Sequence, residues 1–315
     1  MPSLELDRRK ETWLQWIVRM FYEFNKRLLD KILVLLGFKR TLRGILTSRP
    51  GNKATTTVRV EEYFKNCDSE TYRLLEWESG DDSDEASKFL EHEDEDLDLD
   101  EDIKDRLKVS MKQIKAYHLL ICLVESWRTK KYDSDNESHE KKLYELWSLL
   151  KDGEELTDRR SRQWEDIGFQ GNDPATDFRG MGLLGLEQLV YFAKNDPDNC
   201  LRILQLSQHP TKGFPFAICG ITISFIAKEL LIHGHLKKHF YNNNIDLRSV
   251  SIEDFHKTYI ILFNLFANHW FFGEGTRNIM SFNTIKDEWI RIIERFCSSD
   301  SANLFNLTTM NDIIF

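Results

Sequence analysis

Between residues 103 and 297 almost every segment returns an apolar side chain at intervals of three and four, the period of one face of a helix. Ile103, Leu107, Met111, Ile114, Tyr117, Ile121 and Leu123 carry one stripe to about residue 129. Ser134-Asp135-Asn136-Glu137 reads as a capping box with Ser134 at the cap, ahead of Leu143, Leu146, Trp147 and Leu150. A short helix is expected over Asp158–Asp166. Residues 182–194 repeat the pattern, and Asp196-Pro197 starts another helix, with Asp at the cap and Pro in the first turn. Residues 214–233 are apolar nearly all round, as in a helix buried in a core. Ser251 and Asp254 resemble a capping box for a helix running to Trp270, and a last helix covers about 284–297. Only 6 prolines interrupt the chain, and no alternating pattern is long enough for a sheet. The expected fold is all-α, a multi-helix single globular domain with an N-terminal amphipathic helix and an acidic flexible linker.

The net charge of −9 is unevenly placed. Residues 1–60 carry 13 Lys/Arg against 5 Asp/Glu, and residues 61–107 carry 5 against 20. The remaining 208 residues are near balance, with 25 against 27. That leaves the helical body no basic stripe by count, so nucleic acid is not an expected partner. Residues 12–36 read as an amphipathic helix with Trp13, Trp16, Phe21 and Phe24 among basic residues. Two readings stand there about evenly: an interfacial membrane helix, or a helix packed on the protein's own core. A second helix is expected over 58–77, with Tyr63, Phe64, Tyr72, Leu75 and Trp77 apolar, and 78–102 reads as a solvated acidic linker. Five widely spaced cysteines, none in a Cys-x-x-Cys pair, argue against a disulfide framework and point to a reducing, cytoplasmic setting. No secretory signal is read at the N-terminus, and no stretch reaches the ~20 apolar residues of a span.

The periodicity breaks at one place, residues 164–182, where Gly, Asp, Pro and aromatic residues crowd together. The block presents Arg179 between Asp177 and Gly180/Gly182. Pro174 biases Asp173 to an extended shape and stiffens the loop, and the two glycines let backbone turn and approach closely. A guanidinium stays charged and offers a planar fork of donors, which suits a phosphoryl group gaining charge. On spacing alone, an ion pair of Arg179 with Asp177 or Asp173 is the stronger reading. Other chemistry is thin. His233, His235 and His239 lack the further ligands a zinc site needs, and a helix end is the better reading. His118 sits in an apolar stripe as a satisfied boundary residue. Asp166, Asp173 and Asp177 read as caps and arginine partners before they read as a Mg²⁺ cluster. No phosphate-cradling Gly-x-x-x-x-Gly-Lys-Ser/Thr run and no Gly-x-Ser-x-Gly elbow is present.

The run from Arg160 through Trp164-Glu165-Asp166-Ile167-Gly168-Phe169-Gln170 and Pro174-Ala175-Thr176-Asp177-Phe178-Arg179-Gly180-Met181-Gly182 to Leu186 closely resembles the signature of the ELMO-domain family, and more narrowly its small members. Tyr132 to Asn136, His139-Glu140, Leu146-Trp147, His239 to Asn242, Trp270-Phe271 and Ile279 to Asn283 resemble it too, so the likeness covers about 130–285. The resemblance implies a GTPase-activating protein for Arf-family or Arf-like small GTPases. Arg179 would be the essential arginine, lent in trans, and the partner would hold Mg-GTP, so no cofactor or metal is expected in this chain. It implies that Trp164, Gly168, Phe169, Gln170, Pro174, Thr176, Asp177, Phe178, Gly180 and Gly182 form the motif and GTPase-binding surface. The alternative is a GTPase-binding or scaffold module without catalysis, as in the large ELMO proteins, which lack the matching arginine. The chain then divides into an N-terminal amphipathic region (1–57), a segment of helix, acidic linker and long helix (58–137), the ELMO domain (138–299) and a tail (300–315).

Overall fold

The computed structural model describes residues 39–47, 53–67, 100–275, 277–307 and 312. The N-terminal helix expected at 12–36, most of the acidic linker and residues 68–77 lie outside the described residues. Ten α-helices run through the described residues: α1 (Lys39–Thr47), α2 (Lys53–Cys67), α3 (Glu101–Thr129), α4 (Glu137–Leu150), α5 (Gly182–Asn195), α6 (Pro197–Ser207), α7 (Phe216–Ile232), α8 (Lys237–Asn242), α9 (Ile252–Phe272) and α10 (Phe282–Ser298). Four short 3-10 helices join them, at Arg162–Ile167, Pro174–Arg179, Ile279–Ser281 and Leu304–Asn306, and no strand occurs among the described residues. The molecule is a single helical domain.

Helix α5 is the central element, buried on nearly every side through Leu183, Leu184, Leu186, Leu189, Val190 and Phe192. It packs against α3, α4, α6, α7 and α9. Helix α7 is the other inner helix, and its burial explains why its apolar residues run all round rather than in a stripe. Phe225 departs from that expectation, since half of its surface faces solvent. Helix α9 is also buried round most of its circumference, through Leu265-Phe266-Ala267 among others, whereas on α10 a single face supplies the core through Ile285, Trp289, Ile293 and Cys297.

Several boundaries move from their expected places. Helix α2 begins at Lys53, five residues before the expected start, and buries Ala54, Val60 and Phe64. Helix α3 begins at Glu101, so the last acids of the expected linker form its first turn, where they complement the helix dipole. The cap of α4 is Asn136, not Ser134. The Asn136 Oδ1 accepts from the Ser138 and His139 N–H groups at 3.0 and 3.4 Å. The expected helix at Asp158–Asp166 is a 3-10 turn starting at Arg162. Asp196 stands at the start of α6, but its carboxylate accepts from the side chains of Asn199 and Asn264 instead of capping the backbone. The reciprocal capping box of Ser251 and Asp254 forms as read.

Contacts sort the helix ends into two poles. At one, the N–H of Leu183 at the start of α5 bonds the carbonyl of Lys130 just past α3. The start of α7 lies against Gly168, with Ile218 N–H bonding the Gly168 carbonyl. Gln208, past the end of α6, reaches the Asp166 carbonyl, and Trp270 near the end of α9 donates to the Lys212 carbonyl. Phe282 at the start of α10 packs on Trp270. The far pole holds α2, α8 and the 302–307 segment. There Glu61 is buried and accepts from Lys237 at 2.6 Å and Tyr241 at 3.2 Å, with His118 at 3.3 Å. His118 is thus satisfied at the core boundary. Burial would raise the Glu61 pKa, but hydrogen bonds and charge from His118 and Lys237 outweigh it and hold the carboxyl below its ordinary value.

Candidate functional site

The loop between α4 and α5 is built on aromatic rings. Ring contacts run from Trp147 to Trp164, Phe169, Phe178 and Tyr132, each pair with centroids 5.3–5.8 Å apart. Trp164, Phe169 and Phe178 are buried, and the Trp164 indole N–H donates to the Arg159 carbonyl at 3.0 Å. Pro174 is buried as well, in the first turn of a 3-10 helix capped by Asp173, whose Oδ1 accepts from Ala175 N–H at 3.1 Å. Two glycines are required by the geometry. Gly168 has φ +83°, and a Cβ there would lie 2.1 Å from the Phe216 nitrogen. Gly182 has φ +53°, and its Cβ would lie 2.3 Å from the Arg128 carbonyl oxygen. Both therefore seat the loop directly on neighbouring backbone.

A polar clamp holds the outer edge. Arg159 bonds both oxygens of Glu140, one at 3.0 Å, and reaches Asp173 Oδ1 at 3.1 Å. Arg160 lies 3.3 Å from Asp173 Oδ2, and the Tyr132 hydroxyl donates to Glu140. The two carboxylates keep Arg159 firmly protonated against its partial burial. Burial and the Glu140 carboxylate together push the Tyr132 phenol well above its ordinary value. Asp177 closes the loop from inside: its Oδ2 accepts the Gln170 N–H at 2.8 Å. Its pKa is raised, because its partial burial outweighs the Gln170 and Thr176 hydrogen bonds and the Arg179 charge.

Arg179 ends the second 3-10 helix and is exposed. Its Nε donates to the Thr176 carbonyl at 2.8 Å, and this is its one hydrogen bond among the described residues. The ion pair favoured from spacing does not form. Asp173 is taken by Arg159 and Arg160, and Asp177 by Gln170 and Thr176. The exposed Arg179 makes no ion pair among the described residues, although its charge still acts on the nearby Asp177 carboxyl. Gly180 beside it also corrects the reading from sequence. Its φ is −82° and a Cβ would meet nothing within 4 Å, so neither turn nor packing requires a glycine there. The Gln170 side chain is exposed and makes no hydrogen bond among the described residues; its backbone N–H is what buttresses the loop.

The ten motif positions thus divide. Trp164, Gly168, Phe169, Pro174, Phe178 and Gly182 are buried and hold the loop. Gln170, Thr176 and Gly180 are exposed with Arg179, and Asp177 is half-buried. Sequence reasoning missed the role of Arg159. Nothing in the pair Arg159-Arg160 marks the first as the clamp, and its partner Glu140 lies 19 residues away. The three candidate acids do not converge: Asp166 lies on the outer side, 4.0 Å from Lys151. No group of three or more His, Cys, Asp or Glu side chains among the described residues could hold a metal ion. His233 and His235 lie near Glu229 and Glu294, whereas His239 is buried and bonds the Leu304 N–H. The buried thiols of Cys219, Cys200 and Cys297 are all pushed up by burial, Cys297 to about 12, so none supplies a thiolate near neutral pH.

The fold and this loop together define a helical domain that presents an unpaired arginine on a rigid, aromatic-backed turn. A family model of the ELMO/CED-12 family matches residues 122–286, and the chain belongs to that family. ELMO domain-containing protein 1 of Mus musculus is 36% identical over 277 residues, covering 81% of this chain and 82% of the relative. ELMO domain-containing protein 2 of Bos taurus is 45% identical over 183 residues, 58% of this chain and 61% of the relative. ELMO domain-containing protein B of Dictyostelium discoideum is 38% identical over 158 residues, half of this chain and 53% of the relative. No helix among the described residues is long and apolar enough to cross a membrane.

Proposed function

We propose that this chain is a GTPase-activating protein for an Arf-family or Arf-like small GTPase, donating Arg179 in trans to the partner's nucleotide site. The observation that carries this reading is the exposed guanidinium of Arg179, in no ion pair among the described residues, on a loop whose two neighbouring acids, Asp173 and Asp177, bond other groups. Its Nε tie to Thr176 orients the side chain and leaves the two Nη groups for a ligand. The partner supplies the phosphate cradle, the Mg²⁺ and the residue that positions water, and Arg179 adds charge where the transferring phosphoryl group gains it. Such an arginine raises hydrolysis by ~10³–10⁵, or ~4–7 kcal/mol of barrier.

The test is GTP hydrolysis by a panel of purified Arf-family and Arf-like GTPases, with wild-type chain and with Arg179→Lys. Stimulation by the lysine variant is expected to fall by at least about 100-fold, since a point charge does not replace the fork. A binding module without catalysis predicts the opposite. There the GTPase binds, but hydrolysis stays at its intrinsic rate with either chain.

A further inference from the structure

Two exposed side chains of the loop before α5 are held by one device. Phe169 and Phe178 are buried and their rings touch, with centroids 5.6 Å apart. The next residue after each, Gln170 and Arg179, is exposed. Consecutive residues hold both from behind. The Asp177 carboxylate accepts the Gln170 N–H at 2.8 Å, and the Thr176 carbonyl accepts from Arg179 Nε at 2.8 Å. Trp164 backs the Phe169 ring, and Tyr132 the Phe178 ring. Gln170 and Arg179 are therefore neighbours on a backbone already fixed by packed rings and short hydrogen bonds, and a partner meets them preorganised.

The Gln170 carboxamide is the part of this device that the fold does not use. It forms no hydrogen bond among the described residues, because the backbone N–H closes the loop. A solvated surface glutamine is ordinary by itself. What sets Gln170 apart is its tie to the arginine. Asn172 is exposed in the same loop, but no hydrogen bond among the described residues fixes its backbone or its side chain. The Thr176 hydroxyl is engaged by the Asp173 carbonyl. The surroundings are open: a Cβ at Gly171 or Gly180, the residues after Gln170 and Arg179, would meet nothing within 4 Å. A carboxamide offers two N–H donors and an acceptor oxygen without carrying charge. Donors of that kind beside a guanidinium fit an oxyanion that is gaining charge.

We propose that Gln170 is a second catalytic group lent to the same GTPase site, its carboxamide N–H donating to the phosphoryl oxygens beside Arg179. This rests on the reading of Arg179 as the donated arginine, and it leaves water positioning to the partner. No covalent bond to this chain forms or breaks. The carboxamide acts through a hydrogen bond that strengthens as charge develops, so it governs the rate at saturation more than the concentration of GTPase needed to reach it.

The experiment uses the full chain as wild type, Gln170→Ala, Gln170→Glu, Asn172→Ala and Arg179→Lys, with a responding GTPase of the panel as substrate. Both Gln170 variants keep the backbone N–H that Asp177 accepts, so the loop is expected to close and urea midpoints to match wild type. For Gln170→Ala, kcat is expected to fall at least about tenfold with KM within about threefold. Gln170→Glu, of equal size but anionic and without the donors, should fall at least as far. Affinity for the GTPase carrying GDP and aluminium fluoride, a mimic of the transferring phosphoryl group, should weaken at least about tenfold in both variants. Affinity for the GTPase carrying a non-hydrolysable GTP analogue should stay within about threefold. Unchanged kcat in Gln170→Ala while Arg179→Lys is inactive overturns the role of Gln170 and leaves the arginine standing. A raised KM at constant kcat overturns it in favour of a docking contact. Full activity of Gln170→Glu overturns it because no donor remains. An equal loss in Asn172→Ala, or an unfolded Gln170→Ala, overturns it in favour of a structural part in the loop. If no GTPase responds to wild-type chain, or Arg179→Lys is fully active, the arginine reading fails and the role of Gln170 falls with it.

Discussion

At the scale of single residues, neighbouring glycines in one motif have different reasons to be glycine. Gly182 is held at φ +53° with backbone oxygens of Arg128 and Lys130 where a Cβ would stand. Gly182→Ala is therefore expected to destabilise the fold by at least about 2 kcal/mol, from strain and forced separation of α5 from α3. Gly180→Ala should change stability by no more than about 0.5 kcal/mol, since its backbone is ordinary and its surroundings open. Urea unfolding of the two variants checks this contrast, and equal losses would remove it. The two glycines are indistinguishable as letters in a sequence. Only the positions of Arg128 and Lys130, some fifty residues upstream in the chain, separate them.

At the scale of elements, helix starts depend on which side chain reaches the free N–H groups. Ser134 and Asn136 are both good caps, and a Glu three residues on made Ser134 the better reading. The chain turns at Asp133–Asn136 instead, with Asp133 accepting the Asp135 N–H, so the helix starts two residues later on Asn136. Asn136→Ala should cost about 1 kcal/mol in thermal or urea unfolding, and Ser134→Ala close to nothing. Reversed sensitivities would restore Ser134 as the cap. The start of α9 was legible because Ser251 and Asp254 have no such competitor nearby. The loop before α5 was legible as an interruption but not as a structure. Its aromatic residues are core, filling the space under two 3-10 turns, and periodicity says nothing about turns of three residues.

At the scale of the molecule, one end carries the exposed arginine, and the other carries buried polar groups that lock the fold. His239 and His256 are neutral there and in the neighbouring core, with pKa values lowered by burial to about 3 and about 4. The folded protein cannot take up their protons where the unfolded chain can, below about pH 6.5. Their stabilisation is thus complete above about pH 6.5 and is lost as pH falls toward the folded values. Between pH 7 and 5 the unfolding free energy should drop by about 2–4 kcal/mol, at up to about 1.4 kcal/mol per unit for each histidine. Glu61, with its lowered pKa, adds a further loss below its ordinary range near pH 4.3. Urea midpoints across this range read the slope, and a flat profile from pH 7 to 5 would show that neither histidine is held neutral by the fold.

The helical class, the order of the inner helices and the place of the interruption follow from the sequence by itself, because apolar period, Pro and most caps act over three or four residues. What the loop does with its charges was decided only by tertiary structure. Spacing favoured an Arg179 pair with Asp177 or Asp173, yet Arg159 takes Asp173 together with Glu140, and Gln170 takes Asp177. Asp173 is engaged because α4 brings Glu140 alongside Arg159, a contact between residues 19 apart that no local rule encodes. Once the acids are taken there, Arg179 is left unpaired at the surface, and its freedom is a property of the packed domain.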